Sequence, residues 1–280
     1  MEPTDLRGLL NSFVENLNAQ KRSPFTIVAY KKDLEQFIGY LTAQEKISMR
    51  DVNKEDIKNF INKLLSEKYT KKSASRKLNS IRTFFRFLKN QEVIQQNPSL
   101  EVTHPKYSQT PPRILSKLEY RALRDLAKED LRTYAIIELL LQTGVRIGEL
   151  ANIRVDDIKE DGLIIGQRNI PLNKAVKKAV NNYLKARYQT QDDHLLVTKT
   201  GRPLLIRNIR TIIDRCFKEV GIQNAKVQDL RHTFIAYQLM SGVSISYIAK
   251  IVGHKRLSST ERYLQLVKEE AQKKEGLGEL

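Results

Sequence analysis

The chain has 280 residues, 40% of them hydrophobic and 29% charged, enough apolar material for one large domain or two ordinary ones. Lys and Arg total 49 against 32 acids, a net charge of +17 that points to a polyanionic partner whose counterions binding would release. No apolar run reaches the length of a bilayer span, the first residues lack a signal-peptide pattern, and the single cysteine excludes an internal disulfide, so a soluble cytoplasmic protein is expected.

Residues 1–100 read as four helices. Leu6, Leu9, Leu10, Phe13 and Leu17 recur at helical spacing after Thr4, which reads as their N-cap. Ser23-Pro24 supplies a cap and a proline at the first helical position, and Leu34, Phe37, Ile38 and Leu41 follow on one face. The third helix starts at Asn53. The fourth, SASRKLNSIRTFFRFLKN, sets Leu78, Ile81, Phe85 and Leu88 on one side. Its other side carries Arg76, Lys77, Arg82, Arg86 and Lys89, a basic stripe that is either a solvated face or a phosphate contact. Asn97-Pro98 closes the helical region. Residues 101–113, aperiodic and rich in proline, read as a linker with His104 exposed in it.

From residue 114 the element types mix. Ser116 opens a helix, and LRTYAIIELLLQTG is an apolar helix closed by Gly144. GLIIGQRNIPL reads as a short β-hairpin, KAVKKAVNNYLKARY as a helix and HLLVTKTGRPL as a strand and turn. Ile206 to Val220 mark a further helix, on which Cys216 reads as a small core residue rather than a nucleophile. Asp229 reads as the N-cap of one more helix, and another follows Ser244. Ser258 with Glu261 reads as a capping box, which puts Tyr263 in the second turn of a short last helix. The chain is thus mainly α: an all-α N-terminal domain, then a mostly α C-terminal domain with a small antiparallel sheet.

There is no P-loop, dinucleotide-binding glycine pattern, metal-ligand cluster or Gly-x-Ser-x-Gly, so neither metal nor cofactor is expected. Short blocks remain. In TGVRIGEL, Arg146 follows a helix end, where it either grips an anion through its planar fork or pairs with Glu149. In VQDLRHTFIA, Arg231 lies in a first helical turn beside His232, which reads as a satisfied core histidine. In VGHKRLSSTERYL, His254 precedes Tyr263 by nine residues; alone, that tyrosine reads as a packing residue.

Taken together, TGVRIGEL (143–150), QDLRHTFIA (228–236), VGH (252–254) and TERY (260–263) resemble in order and spacing the signature of the tyrosine recombinase family. SPFTIVAYKKDLEQF and RKLNSIRTFFRFLKNQEVIQQNPS resemble that family's core-binding domain, and the chain's size looks most like its Xer branch. The resemblance implies a core-binding domain over 1–100, a linker over 101–113 and a catalytic domain over 114–280, closing around duplex DNA. It implies Tyr263 as nucleophile, with Arg146, Arg231 and His254 holding the scissile phosphate. Cleavage would leave a 3′-phosphotyrosyl link, and rejoining would need neither ATP nor metal. It further implies a homotetramer on two sites, a monomer or dimer off DNA, no membrane partner, and resolution of chromosome dimers at a dif-like site by a nucleoid-associated protein. The segment after Lys268 reads either as a docking tail for a neighbouring protomer or as a disordered end.

The chain departs from the family pattern in two places. Gln228 stands where the family has His or Lys, and an amide accepts no proton at neutral pH. Gln167 and Arg168 stand in the hairpin where the family has a proton-donating lysine; an arginine is a poor donor, and Lys174 just beyond is a weaker candidate. These departures keep a non-catalytic DNA-binding protein open as an alternative. A type IB topoisomerase shares the phosphotyrosine chemistry, and the small helical N-terminal domain argues against it.

Overall fold

A computed structural model describes residues 5–108 and 110–267. The expectation for the segment after Lys268 lies outside the described residues. The chain divides into two compact units, Met1–Gln109 and Thr110–Leu280. No helix among the described residues is long and apolar enough to cross a membrane.

The first unit holds α1 (Leu6–Ala19), α2 (Pro24–Thr42), α3 (Lys54–Ser66) and α4 (Lys71–Asn90). Local chemistry sets their starts. Asp5, not Thr4, caps α1 by accepting the Gly8 N–H. The Ser23 hydroxyl accepts the Thr26 N–H at 3.2 Å, and Asn53 with Asp56 closes a full capping box on α3. Phe13, Phe37, Phe60, Phe84 and Phe85 fill the core, with Phe37 and Phe60 rings 5.1 Å apart.

The basic side of α4 is solvated only in part. Lys77 is buried, because Asp33 of α2, itself only 2% exposed, accepts from its ammonium at 3.0 Å. Arg76 and the Ser80 hydroxyl close on the same carboxylate. Arg82 donates to the carbonyls of Ser99 at 3.1 Å and Val102 at 2.6 Å, and lies 2.7 Å from His104 Nε2. The other ring nitrogen of His104 is 2.9 Å from Ser75 Oγ, so this histidine is half-buried rather than an exposed loop residue. Burial and the Arg82 charge lower its pKa, which leaves Nε2 free to accept from Arg82. Val102 joins the first unit's core, so the start of the expected linker packs as part of that unit. Arg86 and Lys89 are exposed.

In the second unit α5 (Lys117–Ala127), α6 (Leu131–Thr143), α7 (Ile147–Ala151), α8 (Lys174–Ala186), α9 (Ile206–Glu219), α10 (Val227–Met240), α11 (Ile245–Val252) and α12 (Ser258–Glu261) surround one core. α6 is its centre: Ala135, Ile136, Ile137 and Leu139 are fully buried, and so is Glu138, held by Arg124. β1 (Leu163–Ile165) and β2 (Arg168–Ile170) form an antiparallel hairpin that pairs Leu163 with Ile170 and Ile165 with Arg168. Gly166 turns it at φ +59°. Where HLLVTKTGRPL reads as a strand, only isolated bridges form, Arg154 with His194 and Val197 with Pro203. α10 starts before Asp229. That residue sits at the third helical position and accepts the Lys226 N–H at 2.8 Å, so it is one arm of a capping box and not the N-cap. Cys216 is buried, and burial raises its thiol pKa, as suits a core residue.

Candidate active site

Gly144 begins the site. It ends α6 at φ +63°, and an added Cβ would lie 2.4 Å from the Phe234 ring, so the close turn requires glycine. The chain then reverses, and Arg146 becomes the N-cap of α7. Its backbone N–H donates to Glu149 Oε2 at 2.7 Å and its guanidinium to Oε1 at 2.8 Å. The second arm of the fork donates to the Gly253 carbonyl at 2.8 Å. Pairing with the local acid therefore holds the arginine in place, and its side chain remains 42% exposed.

The C-terminus of α11 organises the remaining cations. The last carbonyls of a helix have no intrahelical donor and carry the negative end of its dipole. Here three successive carbonyls each accept from an arginine: Ile251 from Arg168 at 2.8 Å, Val252 from Arg231 at 2.6 Å, and Gly253 from Arg146. Arg168 also donates to Glu149 Oε1 at 2.5 Å. Burial opposes ionisation of Glu149, but the Arg146 N–H and the two guanidinium groups hold its carboxyl below the usual range. Arg231 is 2% exposed and spans from Val252 to the Gly144 carbonyl. Burial and then the Arg146 charge lower its pKa to about 10, so it stays cationic at neutral pH.

Gly253 caps α11 at φ +68° and leads into His254. The His254 Nδ1 lies 2.7 Å from the Thr260 hydroxyl. Burial, with Arg231, Arg146 and Arg262 adding to it, drops its pKa to about 4. When the Thr260 hydroxyl donates to Nδ1, Nε2 carries the hydrogen and can donate to an anion.

Tyr263 is placed differently from the sequence expectation. α12 begins at Ser258 without a side-chain cap, so the Ser258–Glu261 capping box does not form. Tyr263 follows the helix in a turn, its N–H donating to the Thr260 carbonyl at 3.0 Å. Its side chain is buried, and Oη lies 2.5 Å from Nδ1 of His232. Burial raises the phenol pKa, opposed by Arg262 and Arg231. The Arg262 guanidinium sits 5.6 Å from the ring centre.

The structure thus brings Arg146, Arg168, Arg231, His254 and Tyr263 together. Gln228 is exposed in the first turn of α10, and Lys174 is exposed at the start of α8. Neither takes part in the hydrogen bonds described for the cluster. His232, which the sequence reads as a satisfied core histidine, contacts Tyr263 across 31 positions, a pairing that no local pattern signals. Sequence reasoning leaves Glu149 as a mere partner, where one carboxylate orders two arginines. At the hairpin, Arg168 is tied to Glu149 and α11, an arrangement unlike a mobile proton donor.

The phage integrase family profile matches residues 112–270, and the phage integrase N-terminal SAM-like domain profile matches residues 10–92. Tyrosine recombinase XerC of Staphylococcus saprophyticus subsp. saprophyticus is 31% identical over 96% of both chains. Among solved structures, XerA recombinase matches at 26% identity over 98% of this chain and 99% of the other, with a TM-score of 0.55. A lambda integrase tetramer bound to a Holliday junction matches at 18% identity, covering 91% of this chain and 79% of that one, with a TM-score of 0.73, a likeness of fold.

Proposed function

We propose, since the chain belongs to the phage integrase family of tyrosine recombinases, enzymes of DNA strand exchange by transesterification, that Tyr263 is its nucleophile and Arg146, Arg231 and His254 its phosphate clamp. The observation that carries this reading is the row of carbonyls at the end of α11. It docks three arginines side by side, and the same turn delivers His254 and, through Thr260, the backbone of Tyr263.

A phosphodiester repels nucleophiles, and attack concentrates charge on its non-bridging oxygens. Guanidinium groups already fixed in place stabilise that charge without reorganising at the moment of reaction. Attack by Tyr263 Oη forms a 3′-phosphotyrosyl link and releases a 5′-hydroxyl. The link conserves the phosphoester, so a 5′-hydroxyl of another strand can reverse the step with no input of ATP.

The finer reading is Xer-type recombination at a dif-like chromosomal site by a tetramer on two duplexes. The XerC and XerA likenesses and the tetrameric lambda integrase neighbour support it. The surplus of positive charge and the exposed Arg86 and Lys89 of α4 favour DNA contact.

Nicked duplexes carrying dif-like sites, incubated with the protein and resolved under denaturing conditions, test this function. A covalent adduct is expected from the native chain and none from Tyr263→Phe. Site-specific binding without an adduct would show a DNA-binding protein instead, and relaxation of a supercoiled plasmid carrying the site without recombinant products would show a topoisomerase.

A further inference from the structure

The Tyr263 phenol must lose its proton as its oxygen bonds phosphorus, and the exposed Gln228 amide cannot take it. His232 is the group in position. It follows Arg231 on α10, and the step of about 100° per helical residue turns it away from Arg231's direction. Its Nδ1 lies 2.5 Å from Tyr263 Oη, and the two rings stand 5.7 Å apart at 46°. The phenol donates to Nδ1 in the tautomer that carries the ring hydrogen on Nε2.

We infer that His232 is the proton acceptor for Tyr263 in strand cleavage and returns that proton on rejoining. The inference rests on Tyr263 being the nucleophile. As Oη bonds phosphorus, its proton passes to Nδ1, the P–O5′ bond breaks with its electron pair on the 5′-oxygen, and that oxygen takes a proton from water. In rejoining, a 5′-hydroxyl attacks phosphorus and gives its proton to water. The Oη–P bond then breaks, and the proton on Nδ1 goes back to Oη.

The surroundings are consistent with this role. Arg231 from α10, Arg262 beside Tyr263 and His254 after α11 face the ring. Together with burial, the largest cause, they hold its pKa at about 4, so the resting imidazole is neutral, with its lone pair free, but weakly basic. A phosphate anion seated between Arg146 and Arg231 offsets the charge of the neighbouring arginines. The imidazole then becomes more basic where and when the phenol must ionise.

Single-turnover cleavage of a nicked duplex by the full chain tests the inference. His232→Asn places an amide near the Nδ1 position, where it keeps a hydrogen bond to Oη but accepts no proton. Adduct formation should slow about a hundredfold, the usual range for a general base, with DNA affinity unchanged. A substrate with sulfur at the bridging 5′ position, whose thiolate leaves without a proton, should not restore the rate. The native rate should rise with pH across the histidine titration, and the variant should lose that rise. Three results would overturn the inference: a His232→Asn variant as fast as the native chain, rescue by the sulfur substrate, or an unchanged pH profile. Absence of any adduct with the native chain would instead remove Tyr263 as nucleophile, and the inference with it.

Discussion

Asp33, buried in the first unit, and Glu149, partly buried in the second, are both carboxylates gripped by two cations, yet they do different jobs. Asp33 joins α2 to α4: Lys77, at 8% side-chain exposure, and the Ser80 hydroxyl saturate it, and Arg76 covers the rim. Lys77 is consumed there, with no surface left to offer a ligand. Glu149 instead orders Arg146 and Arg168, while Arg231 stands beside them without a carboxylate of its own. Its partners are backbone carbonyls, whose partial charges fix its position without cancelling its charge. A cation matched to a buried acid is a staple. Cations docked on a helix end, one of them still open to solvent, keep the free charge that the proposed phosphate clamp needs.

Removing the acid from the staple should give the largest effect on stability. Asp33→Ala leaves the Lys77 ammonium buried and unpaired, which should cost about 3–5 kcal/mol in urea unfolding of the full chain. An Asp33→Ala chain that unfolds at the native urea midpoint would mean that Lys77 finds solvent, and the contrast with Glu149 would collapse.

In the site the effect should fall on rate. Arg231→Lys keeps the charge but cannot span the Gly144 and Val252 carbonyls and still present a fork to phosphate. Single-turnover cleavage should slow about 10²–10³-fold, as for loss of one preorganised donor in other enzymes. DNA affinity, set by many phosphate contacts, should change little. Equal losses of binding and rate would make Arg231 an ordinary DNA contact.

The contrast between the two carboxylates also marks what the sequence made legible. Ser23, Asn53, Ser116 and Gly144 act within one turn of their position, and the structure uses each as its pattern suggests. Where polar residues crowd, the pattern leaves the cap ambiguous: Asp5 displaces Thr4, Asp229 moves inside α10, and the Ser258–Glu261 box gives way to the turn holding Tyr263. Lys77 and Arg82 read as part of a stripe that is either solvated or set against phosphate, because their partners, Asp33 and the carbonyls of Ser99 and Val102, lie 17 to 44 positions away. Arg146, Arg231, His254 and Tyr263 came from the order of short motifs. His232 stands in the same block as Arg231, yet nothing in that block pairs it with Tyr263; only the packing of the Tyr263 turn against α10 does.

Acid should separate the site from the staple more gently. His232 and His254 fold with pKa values near 4, below the ordinary histidine value of about 6.5. Between those values the unfolded chain binds more protons, so their contribution is full above pH 6.5 and is lost as pH falls toward 4. The urea midpoint of the full chain should decline over that window, with His104, also lowered, adding a share from the first unit. His232→Asn should flatten the decline. A decline of unchanged steepness in that variant would place the acid sensitivity elsewhere.

The smallest effect should come from the glycine at the end of α11. Gly253→Ala must hold φ near +68°, at a cost of about 1 kcal/mol, and its Cβ would meet the Arg168 guanidinium at 3.0 Å. That side chain can shift, so the added stability cost is slight. A shifted Arg168, however, loosens its bonds to Glu149 and the Ile251 carbonyl, and Glu149 is what holds Arg146. Gly221, at φ +76° with open space around it, supplies the control. Gly221→Ala should lose similar stability and leave cleavage at the native rate, whereas Gly253→Ala should lose both. If the two variants cleave alike, the arginines tolerate movement at the helix end, and the carbonyl row is a support rather than the device that sets the clamp.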